Sequence, residues 1–582
     1  MNPCFNLARE KWIMVLDEGG RVEEITLVDA LVQAHRWRKL AGETPTQDVA
    51  MLRFLLAILY AALFGSRPFS TPDDALDAWF ALWEVERFPA DRIAAYLDRW
   101  QDRFWLFHEE RPFDQVFAGR DGIDMENAAD MAALEKPGKP SARGVQKASK
   151  LNGVILESGN TDKLFNISTG EDKNSLSYSQ AARWLIHAMG YDDGGIKPYY
   201  PKNTPMNRND DLARCSVAWL GSISPIYAEG DSLFETLMLN LVLLKDGQMS
   251  EEALWPRQRP TWEYDSAHTV EMVGTALPDN PAELCTFLSR RLMLIRRGES
   301  VLGYVRYVGE AFPREAAFTE QWTLWSVPKA KKGEAPLPLP RSTRMPAQMW
   351  REAGALLVSR SSDGFAPGVV RWVSLLTRVD QSPLRDRLCR FHYVKALYDV
   401  AQSSNMTEVL EDSLTFSVSL LTEAGSAWVD LVSQELDLYS RIAWQVGLLA
   451  EQLLSAEGGK QREKRNGREV STPVALARRE AAQEQFYHQL DQPFRSWLQK
   501  LRADDAPETR QAKVVQLRRC VRQTALQCGQ EMLGRVSPSA FGKRMTGEDG
   551  GHATAPEAWV IFRRAVNKLI PLEQEGKNEG GV

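Results

Sequence analysis

The sequence predicts an α+β fold: a large mixed α/β domain over residues 1–420, followed by an antiparallel four-helix bundle over 421–582. Three observations predict it. A chain of 582 residues is too long for one compact core, and two to four domains is the expectation for that length. Up to about Leu420, runs with strand and helix periodicity are mixed. From about Thr422 the apolar spacing is long and helical.

The elements follow in order. KWIMVLDEGGRVEEITL has two apolar-rich runs around Glu18-Gly19-Gly20, a β-hairpin signal. VDALVQAHRWRKL and DVAMLRFLLAILYAALFG show helical periodicity, continued by DALDAWFALWE and ADRIAAYLDRWQDRFWLF. The apolar run FLLAILYAALF, between Arg53 and Gly65, is too short to span a bilayer and reads as a core helix. EKPGKPSARGVQKASK is rich in Pro, Gly, Ser and Lys and reads as a basic loop. ESVLGYVRYVGEAF and TEQWTLWSVPKAKKG read as strands, the second ending in a lysine-rich turn. RLCRFHYVKALYDV has β-type residues and leads into AQSSNM.

Four helical runs close the chain: AWVDLVSQELDLYSRIAWQVGLLAEQLLSA, PVALARREAAQEQFYHQLDQPFRSWLQKL, RQAKVVQLRRCVRQTALQCGQEML and PEAWVIFRRAVNKLIPL. Their short connections predict antiparallel neighbours. GGKQREKRNGREV, between the first two, reads as a solvated basic loop.

Composition narrows the class. Hydrophobic residues make up 44% and charged residues 25%, the balance of a soluble globular protein. A formal charge of −6 gives no global positive field for nucleic acid, although local basic patches stay open. The six cysteines form no C-x-x-C, and none sits near a histidine at zinc spacing. Reduced, mostly buried thiols are expected. MNPCFNLAREKWIMV lacks a signal-peptide pattern, so a cytoplasmic protein with no membrane partner is expected.

Catalytic signatures are absent: no phosphate-binding G-x-x-x-x-G-K-[ST], no H-E-x-x-H and no G-x-S-x-G. His35, His187 and His488 lie on helix-like segments and read as structural. The adjacent carboxylates Asp192-Asp193 and Asp210-Asp211 read as solvated or helix-capping. No nucleophile, base and orienter assemble, so the chain reads as a binding protein and not an enzyme, with no catalytic residue, metal or cofactor.

GYDDGGIKPYY, from Gly190 to Tyr200, stands apart. One reading makes Gly194 the cap of the helix in SQAARWLIHAMGY. The other brings a Cβ-free backbone close to a ligand, with Lys197 nearby to meet phosphate.

At SGNTDKLFN, YDDGGIK and GDSLFETLMLNL the chain resembles the CasA family, the large subunit of the type I-E CRISPR complex Cascade. The resemblance runs nearly end to end, through FNLAREKWIMV, GRVEEITLVDAL and GETPTQDVAMLRFLLAIL to the C-terminal helices. It implies a non-catalytic subunit of an RNA-guided antiviral surveillance complex. Such a subunit recognises the protospacer-adjacent motif in double-stranded DNA from the minor groove, wedges the duplex open to start R-loop formation, and helps recruit a helicase–nuclease. The implied partners are other Cascade protein subunits, the CRISPR guide RNA, target DNA and that helicase–nuclease.

The resemblance also assigns residues. The family's glycine loop matches Gly194 and Gly195, followed by Lys197; its glutamine wedge matches Gln402, flanked by Ala401 and Ser403. Its loop that touches the RNA end matches GNTDKLFNIS, with Lys163, Phe165 and Asn166. Its lysine finger aligns near EQWTLW, where Gln321 stands, so that role passes to Lys329, Lys331 or Lys332. The two cysteine pairs that hold zinc in some relatives are missing, and no zinc is expected. Two rival readings remain: a purely architectural RNA- and protein-binding subunit, and a nuclease with an unfamiliar site.

Overall fold

The computed structural model describes residues 4–65, 69–116, 145–152, 175–198, 212–264, 278–310, 319–326, 339–340, 348–357, 366–399, 406–465, 468–542 and 554–571. The chain divides into two compact units. The first holds residues 1–347, 360–384 and 389–413; the second holds 348–359, 385–388 and 414–582. A single cut after 420 therefore leaves out two short segments that join the second unit.

The first unit begins with the expected hairpin, β1 (Lys11–Asp17) and β2 (Val22–Thr26). Gly20 has φ +79°, a conformation open to glycine at no steric cost. The helix expected next is short. It covers Leu27–Val32, and Trp37–Leu40 forms β3, paired to β1 through Val15 and Leu40. The free edge of β1 offers backbone partners that outweigh the helical spacing of the side chains.

Helix α1 (Pro45–Phe64) starts at an N-cap, where the Thr44 hydroxyl accepts from Gln47 N, and has proline in its first turn. It is apolar all round and lies in the core. By length and composition it could cross a bilayer, but 89% of its apolar window is buried within the protein. Arg53, which bounds the apolar run, lies inside the helix as its periodicity predicts, buried, with its guanidinium 2.9 Å from the Glu320 carboxylate. Phe54 of α1 meets Trp12, Phe113 and Trp262 edge-on, with ring centroids 5.6, 5.9 and 5.7 Å away.

Helix α2 (Pro72–Val85) forms as its spacing predicts. In ADRIAAYLDRWQDRFWLF the helix, α3, covers only Ala90–Arg99; Trp105–Phe107 is instead a strand, paired with Cys4–Asn6. The basic loop expected around residues 135–150 lies mostly outside the described residues.

Helix α4 (Tyr178–Tyr191) opens with a reciprocal Ser177–Gln180 capping box. His187 Nε2 lies 3.0 Å from Thr46 Oγ1, and Arg183 donates to Trp12 O at 2.8 Å. These bonds fix α4 against α1 and β1. Burial pushes the His187 imidazole down to about 3, so it is neutral and structural.

Beyond α4 come β4 (Gly195–Pro198) and its antiparallel partner β5 (Leu212–Cys215), then β6 (Ile226–Glu229). The hairpin β7 (Arg290–Arg297) and β8 (Ser300–Val308) turns at Gly298. Among the described residues of TEQWTLWSVPKAKKG, the strand is β9 (Trp325–Ser326), paired with β10 (Leu339–Pro340). Before β9 the backbone is irregular, because side chains take its bonds: Glu320 Oε1 accepts from Trp322 N at 2.9 Å. Strands β11 (Leu388–Tyr398) and β12 (Met406–Ser417) complete a three-stranded sheet in the order β12-β11-β6.

The second unit carries four long helices: α5 (Ser426–Ala456), α6 (Pro473–Leu498), α7 (Pro507–Arg535) and α8 (Ala555–Leu569). Successive helices run in opposite directions, as their cross-helix pairs show. Arg479 meets Glu451 at 2.5 Å while Trp497 meets Trp428 with centroids 5.8 Å apart. Gln485 donates to Glu531 at 2.9 Å while Trp497 Nε1 donates to Lys513 O at 3.0 Å. The segment read as a basic loop between α5 and α6 is instead a hairpin, Arg462–Arg465 with Arg468–Ser471.

Candidate nucleic-acid interface

The glycine stretch is not a helix cap. Helix α4 ends at Tyr191, and its C-cap is Asp192, at φ −56° and ψ 144°. The chain leaves the helix extended, and Gly195 then takes φ +102°, the left-handed side that favours glycine. From there β4 alternates with period two. Ile196 points outward and is 72% exposed, whereas the Lys197 side chain is 1% exposed.

This overturns the expectation that Lys197 reaches a phosphate. Its ammonium donates to Asp193 O at 2.6 Å and Gly194 O at 3.0 Å, and lies 3.2 Å from Asp193 Oδ1 and 3.5 Å from Asp192 Oδ2. Burial pulls the lysine's pKa down; the Asp192 carboxylate opposes that pull.

Of the two readings of the aspartates, solvated or helix-capping, Asp192 takes the second as the C-cap of α4, and neither side chain is solvated. Their side chains are 7% and 12% exposed. Arg306 NH1 lies 2.5 Å from Asp192 Oδ1 and also bonds the Asp193 carboxylate. Arg290 bonds Asp192 through Nε and donates from NH2 to Asp193 O at 2.9 Å and Ser216 O at 2.7 Å. Half-exposed Lys150 stands 3.9 Å from Asp193. Burial opposes the charge on Asp192, yet Arg306, Lys197 and Arg290 hold its carboxyl well below the usual range. Two carboxylates thus face four cations.

A second expected element meets this turn. Tyr398, the last residue of β11, donates from its hydroxyl to Tyr191 O at 2.7 Å. The β11–β12 connection, 399–405, holds Ala401, Gln402 and Ser403, which lie outside the described residues. Strand β11 pairs with β6 from Arg390↔Glu229 to Tyr393↔Ile226, and Ile226 N donates to Trp322 O at 2.6 Å. Trp322 precedes β9, and the segment between β9 and β10 holds Lys329, Lys331 and Lys332. Those lysines also lie outside the described residues, as do Lys163, Phe165, Asn166 and Asp210-Asp211.

Gln321 is 5% exposed, and its Oε1 accepts from Asp246 N at 3.0 Å, a structural role. Among the described residues no three His, Cys, Asp or Glu side chains gather to hold a metal ion, and all six cysteines are free. Arg290, Arg306 and Tyr398 escaped the sequence reading. The one signal for the arginines was the Asp192-Asp193 pair, whose burial requires counter-ions. Of the four cations only Lys150 is half-exposed, so the surface of the turn is backbone and the exposed Ile196.

The family model described as CRISPR-associated protein Cse1 matches residues 6–528. The CRISPR-associated protein CasA/Cse1 of Thermus thermophilus is 34% identical over 238 residues, which span 41% of this chain and 39% of that relative. The crystal structure of Thermobifida fusca Cse1 is 26% identical, with a TM-score of 0.77 over 97% of this chain and 98% of that one. A chain of a CRISPR RNA-guided surveillance complex shares the fold at 15% identity, with a TM-score of 0.59 over 98% of this chain and 100% of that one.

Proposed function

This chain belongs to the CRISPR-associated Cse1 family, also called CasA, and on that premise we propose that it is the non-catalytic large subunit of a cytoplasmic, RNA-guided Cascade complex. It reads the protospacer-adjacent motif in duplex DNA, starts strand opening and helps to recruit the helicase–nuclease. Its partners are the guide RNA, the other subunits and the target duplex. The C-terminal helices act as a four-helix bundle that docks within the assembly.

One observation carries the reading: the bond from Tyr398 to Tyr191 O, which draws the base of the Gln402 hairpin to the glycine turn. At half-buried Gly195, next to the exposed Ile196, a backbone without Cβ can enter the minor groove, whose narrow floor would reject a side chain; Gly194 itself is buried. The Gln402 loop acts where the first base pairs part, at a few kcal/mol per unstacked step. Lys329, Lys331 and Lys332 supply the phosphate contacts that Lys197 does not.

Two variants test this in the assembled complex. Gly195→Asp adds a side chain and a charge, but it also strains a positive φ. Ile196→Asp adds the charge on the exposed face and leaves the backbone alone. Both are expected to weaken binding of motif-bearing duplex by about tenfold or more, roughly the effect of one like charge a few ångströms from a phosphate. Near-normal affinity for Ile196→Asp, with assembly intact, would sink the proposal.

A further inference from the structure

Resting on that reading, we infer that Asp192 is a positioning residue for motif discrimination: with Arg290, Arg306 and Lys197 it forms a buried lock that sets the glycine turn. The Asp192 backbone is part of the lock, since its carbonyl accepts from Ala218 N at 2.9 Å. Its carboxylate gathers Arg290 and Arg306 from two neighbouring strands, β7 and β8. Through them the carbonyls of Asp193 and Ser216 are tied down, while Lys197 reaches back to the carbonyls of Asp193 and Gly194. Every residue from Tyr191 to Gly194 thus has its carbonyl held by a named donor.

Stability alone does not account for such an arrangement. Buried ion pairs barely repay the desolvation of their charges, and apolar residues of the same volume often do as well. What a charge network with several fixed partners supplies is a single geometry. A glycine turn needs that, because glycine restricts its own backbone less than any other residue does. The lock also explains why β4 is inverted, with its cation inside and Ile196 outside.

Asp192→Asn separates positioning from attraction, because the two predict opposite signs. Removing a carboxylate leaves one carboxylate against four cations, so simple attraction would tighten binding to every duplex. A loosened turn would instead lose discrimination. In the assembled complex, Kd is measured for a motif-bearing duplex and for a scrambled one. Asp192→Asn is expected to cut the ratio of the two about tenfold, with scrambled-duplex affinity unchanged or higher. Tyr398→Phe, which deletes only the hydroxyl that bonds Tyr191 O, is expected to lower the same ratio without altering assembly. It gives the answer should the Asn variant fold poorly. An unchanged ratio in a folded variant overturns the lock. Failure of the reading itself looks different: Ile196→Asp would then leave motif binding intact as well.

Discussion

Asp114 has φ +49°, a buried side chain, and an Oδ1 with no hydrogen-bond partner. Burial alone pushes its carboxyl up from 3.8 to about 7. Between those values the folded chain holds a proton that the unfolded chain has released, so this residue's contribution to stability falls as pH rises through that window. Above pH 7 the folded state keeps an uncompensated buried charge. Asparagine fits the same cavity and adopts positive φ readily. Asp114→Asn is therefore expected to raise the melting temperature by about 2 °C or more at pH 8 and to gain less at pH 5. Scanning calorimetry at both values checks it; an advantage that shrinks with rising pH would refute the assignment. Lys197 shows the limit of reading single residues. A lysine after two glycines looks like a phosphate ligand, yet its ammonium turns inward onto the Asp192 and Asp193 carboxylates and the carbonyls of Asp193 and Gly194.

At the scale of elements, the β11–β12 hairpin has its own titrating group. His392 sits between Glu229 and Glu411 and stacks on Tyr227. Burial opposes the imidazolium, but the two carboxylates beside the ring outweigh it and hold the pKa above 6.5. The stability this group adds is therefore complete below pH 6.5 and is lost as pH rises through the raised value. Amide exchange in 388–398 and 406–413, corrected for intrinsic rates, is expected to speed up by roughly tenfold between pH 6 and pH 9, the worth of one charged hydrogen bond. His392→Gln should flatten that dependence, and a wild-type profile independent of pH would refute it. Elements set by local periodicity were legible: the first hairpin, α1, and the four C-terminal helices. Trp37–Leu40 was not, because its partner is the edge of β1. Likewise 462–471 is a hairpin where composition showed only charge.

For the whole molecule, the net charge of −6 means that any affinity for DNA is local. If Gln402 is the wedge, Gln402→Ala in the complete complex should slow unwinding of fully paired targets by about tenfold, the value of one stacking step. Targets already mismatched beside the motif should open at the wild-type rate. Equal slowing on both substrates would assign Gln402 to general binding. The glycine turn and the hairpin were each legible as motifs through the family resemblance; that they touch was not, since contact across 207 residues leaves no local trace.

That span also sets a timetable. As the chain leaves the ribosome, α4 and the glycine turn emerge early, yet Tyr398 and the returning strand β12 follow only after some two hundred more residues. Closing so long a loop comes late in folding and is slow, because its entropy is lost before the contact compensates it. The fully bonded glycine turn is thus among the last features of the first unit to exist. A nascent or truncated chain can hold every glycine of the turn and still lack the bond that fixes it.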